Sequence, residues 1–406
     1  MTVTRRRVLY VPGYDPFHPR RYRELYRKEG AAQAAVSGYA VSQRKGKGPY
    51  AWEVIAEMDG ARVEAEVEVL VWSDIVASSM SRSIPATYAQ LVLTAWAYIG
   101  SGALFRLMRL RQGPVIAALY PIVVLLAQLA VALGLGVAAG AGAVWGIAQI
   151  NVGSDLPAVR TVLATAAFAG TVVAVLRWFK SKDSKLFAHY LMHDYAFSAR
   201  WGGANPPELE ARMAEFADRV AEALASDVDE VLVVGHSSGA HLAISVLADL
   251  IRAGRVPVGK CAFLSLGHVV PMVSFLPKAN RLRADLNLMG GQDLMSWVDV
   301  TAPGDGCSFA LCDPVAVTGV APERQTGPLI LSAAFSQTLS PGQWKALKRR
   351  YFRLHFQYLC AFDRPGDYDY FRITAGPLTL AERFEGRAHS PSRLTAPVNR
   401  HRAMAA

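Results

Sequence analysis

From Gly113 to Ser154 the chain carries no Asp, Glu, Lys, Arg or His. Wound as one helix, that run would be about 63 Å long, roughly twice the hydrocarbon thickness of a bilayer. The run therefore predicts a membrane insert. A second apolar stretch, residues 161–176, is short for a span. Arg160 and Arg177 can snorkel at its ends, and Trp178 and Phe179 suit an interface. A third uncharged stretch, 83–105, holds more polar positions.

The sequence before and after the insert reads as two parts of one domain, so both parts lie on one side and the number of crossings is even. Two spans, within 121–143 and 159–179, place Arg106, Arg109 and Arg111 on the same side as Arg177, Lys180, Lys182 and Lys185. That satisfies the positive-inside rule, and four spans would not. The expectation is an integral protein of a bacterial-type inner membrane, with an external loop at 146–156 and both termini cytoplasmic. A hairpin lying in one leaflet is the alternative. Gly134, Gly136, Gly140 and Gly142 include small-xxx-small spacings that let helices pack closely; the competing reading is a flexible Ala/Gly-rich segment.

The formal charge of +10 sits on a chain that is 52% hydrophobic and 19% charged. Its basic residues are scattered around the apolar segments and the amino-terminal arm. This pattern favours the bilayer as partner and argues against nucleic acid. Cys261, Cys307, Cys312 and Cys360 lack metal-site spacing, so they read as ordinary thiols and no metal is expected. Arg5-Arg6-Arg7 leads into a short strand and not into an apolar h-region, so no signal peptide is expected.

Outside the insert the periodicities are those of strands alternating with helices. Residues 7–11 (RVLYV) read as a buried strand ending in Pro12-Gly13-Tyr14-Asp15-Pro16. Residues 50–58 and 61–72, joined by Asp59-Gly60, read as a hairpin with a type I′ turn. An amphipathic helix over 207–224 leads to the apolar strand 231–234, and further strands follow at 261–266 and 296–301. The fold class is therefore α/β with a mostly parallel sheet and helices on both faces, interrupted by the hydrophobic hairpin.

Directly after the 231–234 strand comes Gly235-His236-Ser237-Ser238-Gly239, and then residues 240–251 with apolar side chains at helical spacing. Strand, Gly-x-Ser-x-Gly and helix in that order form a nucleophile elbow, in which a tight turn lifts the central serine hydroxyl clear of the sheet. With Phe263 to Gly267, Trp297 to Asp305 and His355 to Tyr358, this segment resembles the α/β-hydrolase superfamily, and within it the lipase- and esterase-like serine hydrolases. The resemblance covers about 5–75 and 190–375. His268-Val269-Val270-Pro271 after Gly267 departs from the family's usual pattern, as does the membrane insert itself.

A serine needs a base, and the base needs a carboxylate to fix its tautomer. In this family the order along the chain is serine, acid, histidine. Ser237 is thus the expected nucleophile. His355 is the expected base, because His389 and His401 fall in a polar tail. Asp305, in the Pro303-Gly304-Asp305-Gly306 loop after a strand, is the first choice of acid, with Asp313 and Asp299 as alternatives. The oxyanion hole is expected from the backbone N–H groups of Tyr14 and Ser238.

The implied activity is that of a membrane-anchored serine hydrolase, cleaving a small-molecule or lipid acyl ester or thioester without a cofactor. An inactive scaffold and an acyltransferase are the alternatives. The expected division is 1–82 and 186–380 as the two parts of the hydrolase domain, 83–185 as the insert, and 381–406 as a disordered basic tail.

Overall fold

The computed structural model describes residues 2–80, 83–149 and 157–405. The chain forms two compact units. The first comprises Met1–Ser78, Ala97–Val115 and Trp201–Ala406, and the second comprises Ser79–Trp96 and Ile116–Arg200. The expected insert, 83–185, thus differs from the second unit at both ends: 97–115 packs with the first unit, and 186–200 with the second.

The first unit is built on one eight-stranded sheet. Its strands are β1 (Arg5–Val11), β2 (Ala40–Lys45), β3 (Ala51–Met58), β4 (Ala61–Val69), β5 (Glu230–His236), β6 (Cys261–Leu266), β7 (Ser296–Thr301) and β8 (Leu329–Ser332). Their order across the sheet is β2-β3-β4-β1-β5-β6-β7-β8. β3 alone runs opposite to the other strands, so β2–β3 and β3–β4 are the antiparallel pairs. Sequence explains the contrast between strands. Every residue of β5 (EVLVVGH) is buried, as a central parallel strand covered on both faces requires. In β4, Val63, Ala65, Val67 and Val69 are buried at a period of two. Asp59 and Gly60 both adopt positive φ (53° and 78°), the type I′ turn expected of that dipeptide.

β1 and β5 are neighbours, yet the sheet grows in opposite directions from them, towards β4 on one side and β6 on the other. Such a reversal leaves a crevice between the loops at the carboxyl ends of the two strands, the place where open α/β sheets bind ligands. Two helices cover β5. α1 (Pro207–Ala225) buries Leu209, Met213, Phe216, Val220 and Leu224 at helical spacing. α2 (Gly239–Arg252) is buried along nearly its whole length.

The basic tail is held in place. Leu394 bridges Cys312, Ser390 N–H donates to Ile330 O at 2.8 Å, and Asn399 Nδ2 donates to Ser274 O at 3.1 Å. Composition predicted disorder for 381–406 because the segment is polar. Backbone N–H groups of Ser390, Leu394 and Val398 instead donate to the carbonyls of Ile330, Leu311 and Val317.

The second unit contains α3 (Gln112–Gln149, whose first residues belong to the first unit) and α4 (Pro157–Ser181). Both are long and apolar enough to cross a membrane, with window mean hydropathies of 2.5 and 1.9. Gly136 and Gly140, four residues apart, are the contact between them. A Cβ on Gly136 would lie 2.8 Å from Val172 Cγ2, and one on Gly140 3.2 Å from Ala164 O. The small-xxx-small spacing therefore acts as a packing surface. The uncharged stretch at 83–105 becomes two helices, Ile84–Gly100 and Ala103–Leu110, bent by 73° at a break where Gly102 has φ 72°. Most of the expected external loop, 150–156, lies outside the described residues.

Candidate active site

The turn between β5 and α2 has the backbone of an elbow. Ser237 adopts φ 57°, a left-handed conformation that is strained for a residue with a Cβ. Its N–H donates to Leu266 O at 2.9 Å and its carbonyl accepts from Ala240 N–H at 3.2 Å, so the turn is fixed from both sides. The flanking glycines answer to close approach. A Cβ on Gly235 would stand 2.7 Å from Ala240 Cα, inside the start of α2. A Cβ on Gly239 would collide with the Val11 carbonyl oxygen and stand 2.6 Å from that of Pro12. The motif's two glycines thus let α2 and the end of β1 close around the serine.

The loop after β1 lies on the other side of Ser237. A Cβ on Gly13 would be 2.9 Å from Ser237 Cβ and 3.3 Å from its Oγ. Trp72 Nε1 donates to Pro12 O at 2.9 Å, and the Trp72 ring meets that of buried Tyr14 edge-on. Asp15 is buried and accepts from Tyr22 Oη at 2.5 Å and Arg21 at 2.8 Å. These contacts fix the loop that carries the Tyr14 amide, one of the two expected oxyanion donors. The other, Ser238, is the N-cap residue of α2.

Asp305 follows β7 and His355 ends the short helix Tyr351–His355; both are buried. His355 Nδ1 lies 2.8 Å from Asp305 Oδ2. The same oxygen accepts from Tyr358 Oη at 3.0 Å, and Oδ1 accepts from Cys307 N–H at 2.9 Å. Burial works against the Asp305 charge, but His355 and the donors around the carboxylate outweigh it and hold the group below the usual carboxyl range. A Cβ on Gly267 would be 3.2 Å from His355 Cε1. Gly267 directly follows Leu266, whose carbonyl holds the Ser237 amide. Among the described residues no hydrogen bond joins Ser237 Oγ to His355 Nε2.

The alternative acids are engaged elsewhere. Asp313 caps the helix Pro314–Thr318, accepting from Val315 and Ala316 N–H groups at 3.0 Å. Asp299 is buried within β7, accepts from Ser265 Oγ at 2.5 Å, and burial pushes its carboxyl well above the ordinary range. His389 Nδ1 accepts from Ile330 N–H at 3.1 Å.

Two supporting residues escaped the sequence reading. Tyr358, three residues after His355, reaches the same carboxylate oxygen, a spacing that one turn of helix brings to one side. His236 donates through Nε2 to His355 O at 3.0 Å, and its Nδ1 lies 3.3 Å from Tyr10 Oη. Burial, with the neighbouring His355, pushes His236 down to about 3, so its ring is neutral. Asp305, Cys307 and His355 also offer three possible metal-ligand atoms within 4.8 Å of one another. In this geometry, however, the carboxylate and the imidazole are hydrogen-bonded to each other.

No protein family, curated protein or solved structure matches this chain.

Proposed function

We propose that the chain is a membrane-anchored serine hydrolase of α/β-hydrolase type, cleaving a carboxylic ester or thioester through an acyl-enzyme. The observations that carry this reading are the left-handed Ser237, packed against the Gly13 loop at the sheet's switch point, and the buried His355–Asp305 pair. Ser237 Oγ attacks the acyl carbon while His355 Nε2 takes its proton. Asp305 accepts from His355 Nδ1–H, which fixes the tautomer and stabilises the imidazolium. The N–H groups of Ser238 and Tyr14 receive the developing oxyanion. The alcohol or thiol leaves with the proton from His355, and water, activated by the same histidine, releases the acid. The Ser–His contact closes when substrate is bound, since catalytic hydrogen bonds of unliganded sites are commonly long.

The two apolar helices support a membrane location, and the flanking arginines and lysines favour a cytoplasmic catalytic domain at a bacterial inner membrane. A lipid or lipophilic acyl substrate follows from that proximity. The missing Ser237–His355 hydrogen bond supports a second reading, a scaffold that keeps the fold without turnover. Hydrolysis of p-nitrophenyl acyl esters by the detergent-solubilised chain separates the two. Turnover that disappears in Ser237→Ala supports the hydrolase, and equal rates in both proteins leave the scaffold. Partition of the acyl group to an added alcohol in preference to water would reassign the chain as an acyltransferase.

A further inference from the structure

Of the four cysteines, Cys261, Cys312 and Cys360 are buried, and Cys360 Sγ lies 2.9 Å from the Arg353 guanidinium. Cys307 differs: it is half-buried and sits two residues after Asp305. The turn that carries both is fixed by the Cys307 N–H on Asp305 Oδ1 at 2.9 Å and by the Asp305 N–H on Ala302 O at 2.9 Å. His355 meets the same carboxylate, its Nδ1 2.8 Å from Asp305 Oδ2. One sulfur, one imidazole nitrogen and one carboxylate oxygen thus lie within 4.8 Å of one another. Among the described residues no other three His, Cys, Asp or Glu side chains converge in this way.

Two contacts hold these donors from behind. Tyr358 Oη donates to Asp305 Oδ2 at 3.0 Å, and His236 Nε2 donates to the His355 carbonyl at 3.0 Å. Outer hydrogen bonds of this kind orient the ligands of metal sites. The donor set selects the ion. Thiolate and imidazole favour zinc and similar borderline-soft cations, whereas magnesium and calcium take oxygen ligands. Three protein ligands leave the fourth tetrahedral position to water. Bonds of about 2.0–2.3 Å set tetrahedral donors about 3.3–3.7 Å apart, so binding draws these three together by about 1 Å. Ligation through His355 Nδ1 replaces the hydrogen bond to Asp305, and ligation through Nε2 occupies the nitrogen that acts as base. Either takes His355 out of proton transfer.

We propose that Cys307, Asp305 and His355 form a binding site for a thiophilic divalent cation such as Zn²⁺. The thiol, and the imidazole N–H where Nδ1 is the ligand, release their protons to water as the ion binds. Binding rests on these three side chains alone. On the hydrolase reading, which this deepens, occupancy of the site switches Ser237 off.

The test uses the metal-free full-length chain in detergent, titrated with Co²⁺ as a coloured substitute for spectroscopically silent d¹⁰ zinc. One Co²⁺ per chain should give a near-ultraviolet sulfur-to-cobalt charge-transfer band and the intense visible bands of tetrahedral cobalt, and zinc should displace it. Cys307→Ala should lose the charge-transfer band, and His355→Ala should weaken cobalt binding by about tenfold or more. Cys307→Ser serves the same comparison if Cys307→Ala does not fold. Zinc should also slow fluorophosphonate labelling of the wild type by about tenfold or more, reversibly on adding a chelator, and should not alter the labelling rate of Cys307→Ala. A wild type without the charge-transfer band would overturn the proposal, as would a band that survives in the folded Cys307 variant or zinc that speeds labelling. A wild type that shows the cobalt bands but takes up no probe would support the cation site and count against the hydrolase reading alone.

Discussion

Asp305 and His355, fifty residues apart in sequence, meet at 2.8 Å between Oδ2 and Nδ1 in a buried setting where Tyr358 and Cys307 also donate to the carboxylate. A carboxylate held ionised against a single imidazole nitrogen leaves the other nitrogen as the base. That division of labour orients a general base for an alcohol nucleophile.

The Asp305 and Asp313 variants should therefore behave differently. Asp305→Asn keeps the shape but loses the charge, and should lower ester turnover by about 10³- to 10⁴-fold with little change in the denaturation midpoint. Asp313→Ala removes a helix cap and should cost about 1 kcal/mol of stability while leaving turnover within a few-fold. The reverse pattern, in rates and urea midpoints measured side by side, would move the acid to Asp313.

The elbow glycines give a steric prediction. Gly239→Ala places a methyl group against the Val11 and Pro12 carbonyls. It should cost about 3 kcal/mol or abolish folding. Gly342→Ala, where nothing lies within 4 Å, should stay within about 0.5 kcal/mol of the wild type. Thermal midpoints of the two variants check this, and equal midpoints would mean that β1 can withdraw from the elbow.

Tyr358 joins two jobs. Its hydroxyl donates to Asp305 and accepts from Ala302 N–H at 2.9 Å. Tyr358→Phe strands that buried amide and should cost about 1–3 kcal/mol. It also removes a donor to the ionised acid, so the acid limb of the turnover–pH profile should move upward. An unshifted limb would confine Tyr358 to a structural role.

His236 makes stability depend on pH in a defined direction. Its folded value, pushed by burial to about 3, lies below its ordinary 6.5. Between those values the unfolded chain binds the extra proton, so this contribution is complete above pH 6.5 and is lost as pH falls. The slope is about 1.4 kcal/mol per pH unit. His241 and His268, buried and lowered to about 4, act in the same sense, while Asp299, raised by burial, acts in the opposite one. The difference between wild type and His236→Gln is therefore the useful quantity. The variant should be less stable at pH 7 and the gap should narrow towards pH 5, as read from urea midpoints. A constant gap would mean that His236 does not titrate on unfolding.

The strands that could be read from sequence were those with an unambiguous period. The continuous apolar run of β5, the alternation of β4 and the Asp59-Gly60 turn are local patterns, and their strand positions follow from them. β2 (AVSQRK), with every residue exposed or half-buried, carries too little apolar signal, and β8 (LILS) is apolar but too short to show a period, so neither is legible in the sequence. The tail's contacts are not legible in the sequence, because polarity counts against a core but says nothing about backbone partners such as Leu311 O and Ile330 O. The elbow was visible because its glycines are local requirements. The hydrogen bond of Tyr358 to Asp305 and that of His236 to the His355 backbone join distant segments, and no sequence period marks them.

An activated Ser237 can be trapped directly. The detergent-solubilised chain should be treated with a fluorophosphonate probe and the adduct mapped by peptide mass spectrometry, beside Ser237→Ala and His355→Ala. One adduct is expected, on Ser237, absent from Ser237→Ala and slowed by about 10³-fold or more in folded His355→Ala. A folded wild-type chain that takes up no probe, or that takes it up on another residue, would contradict an activated Ser237.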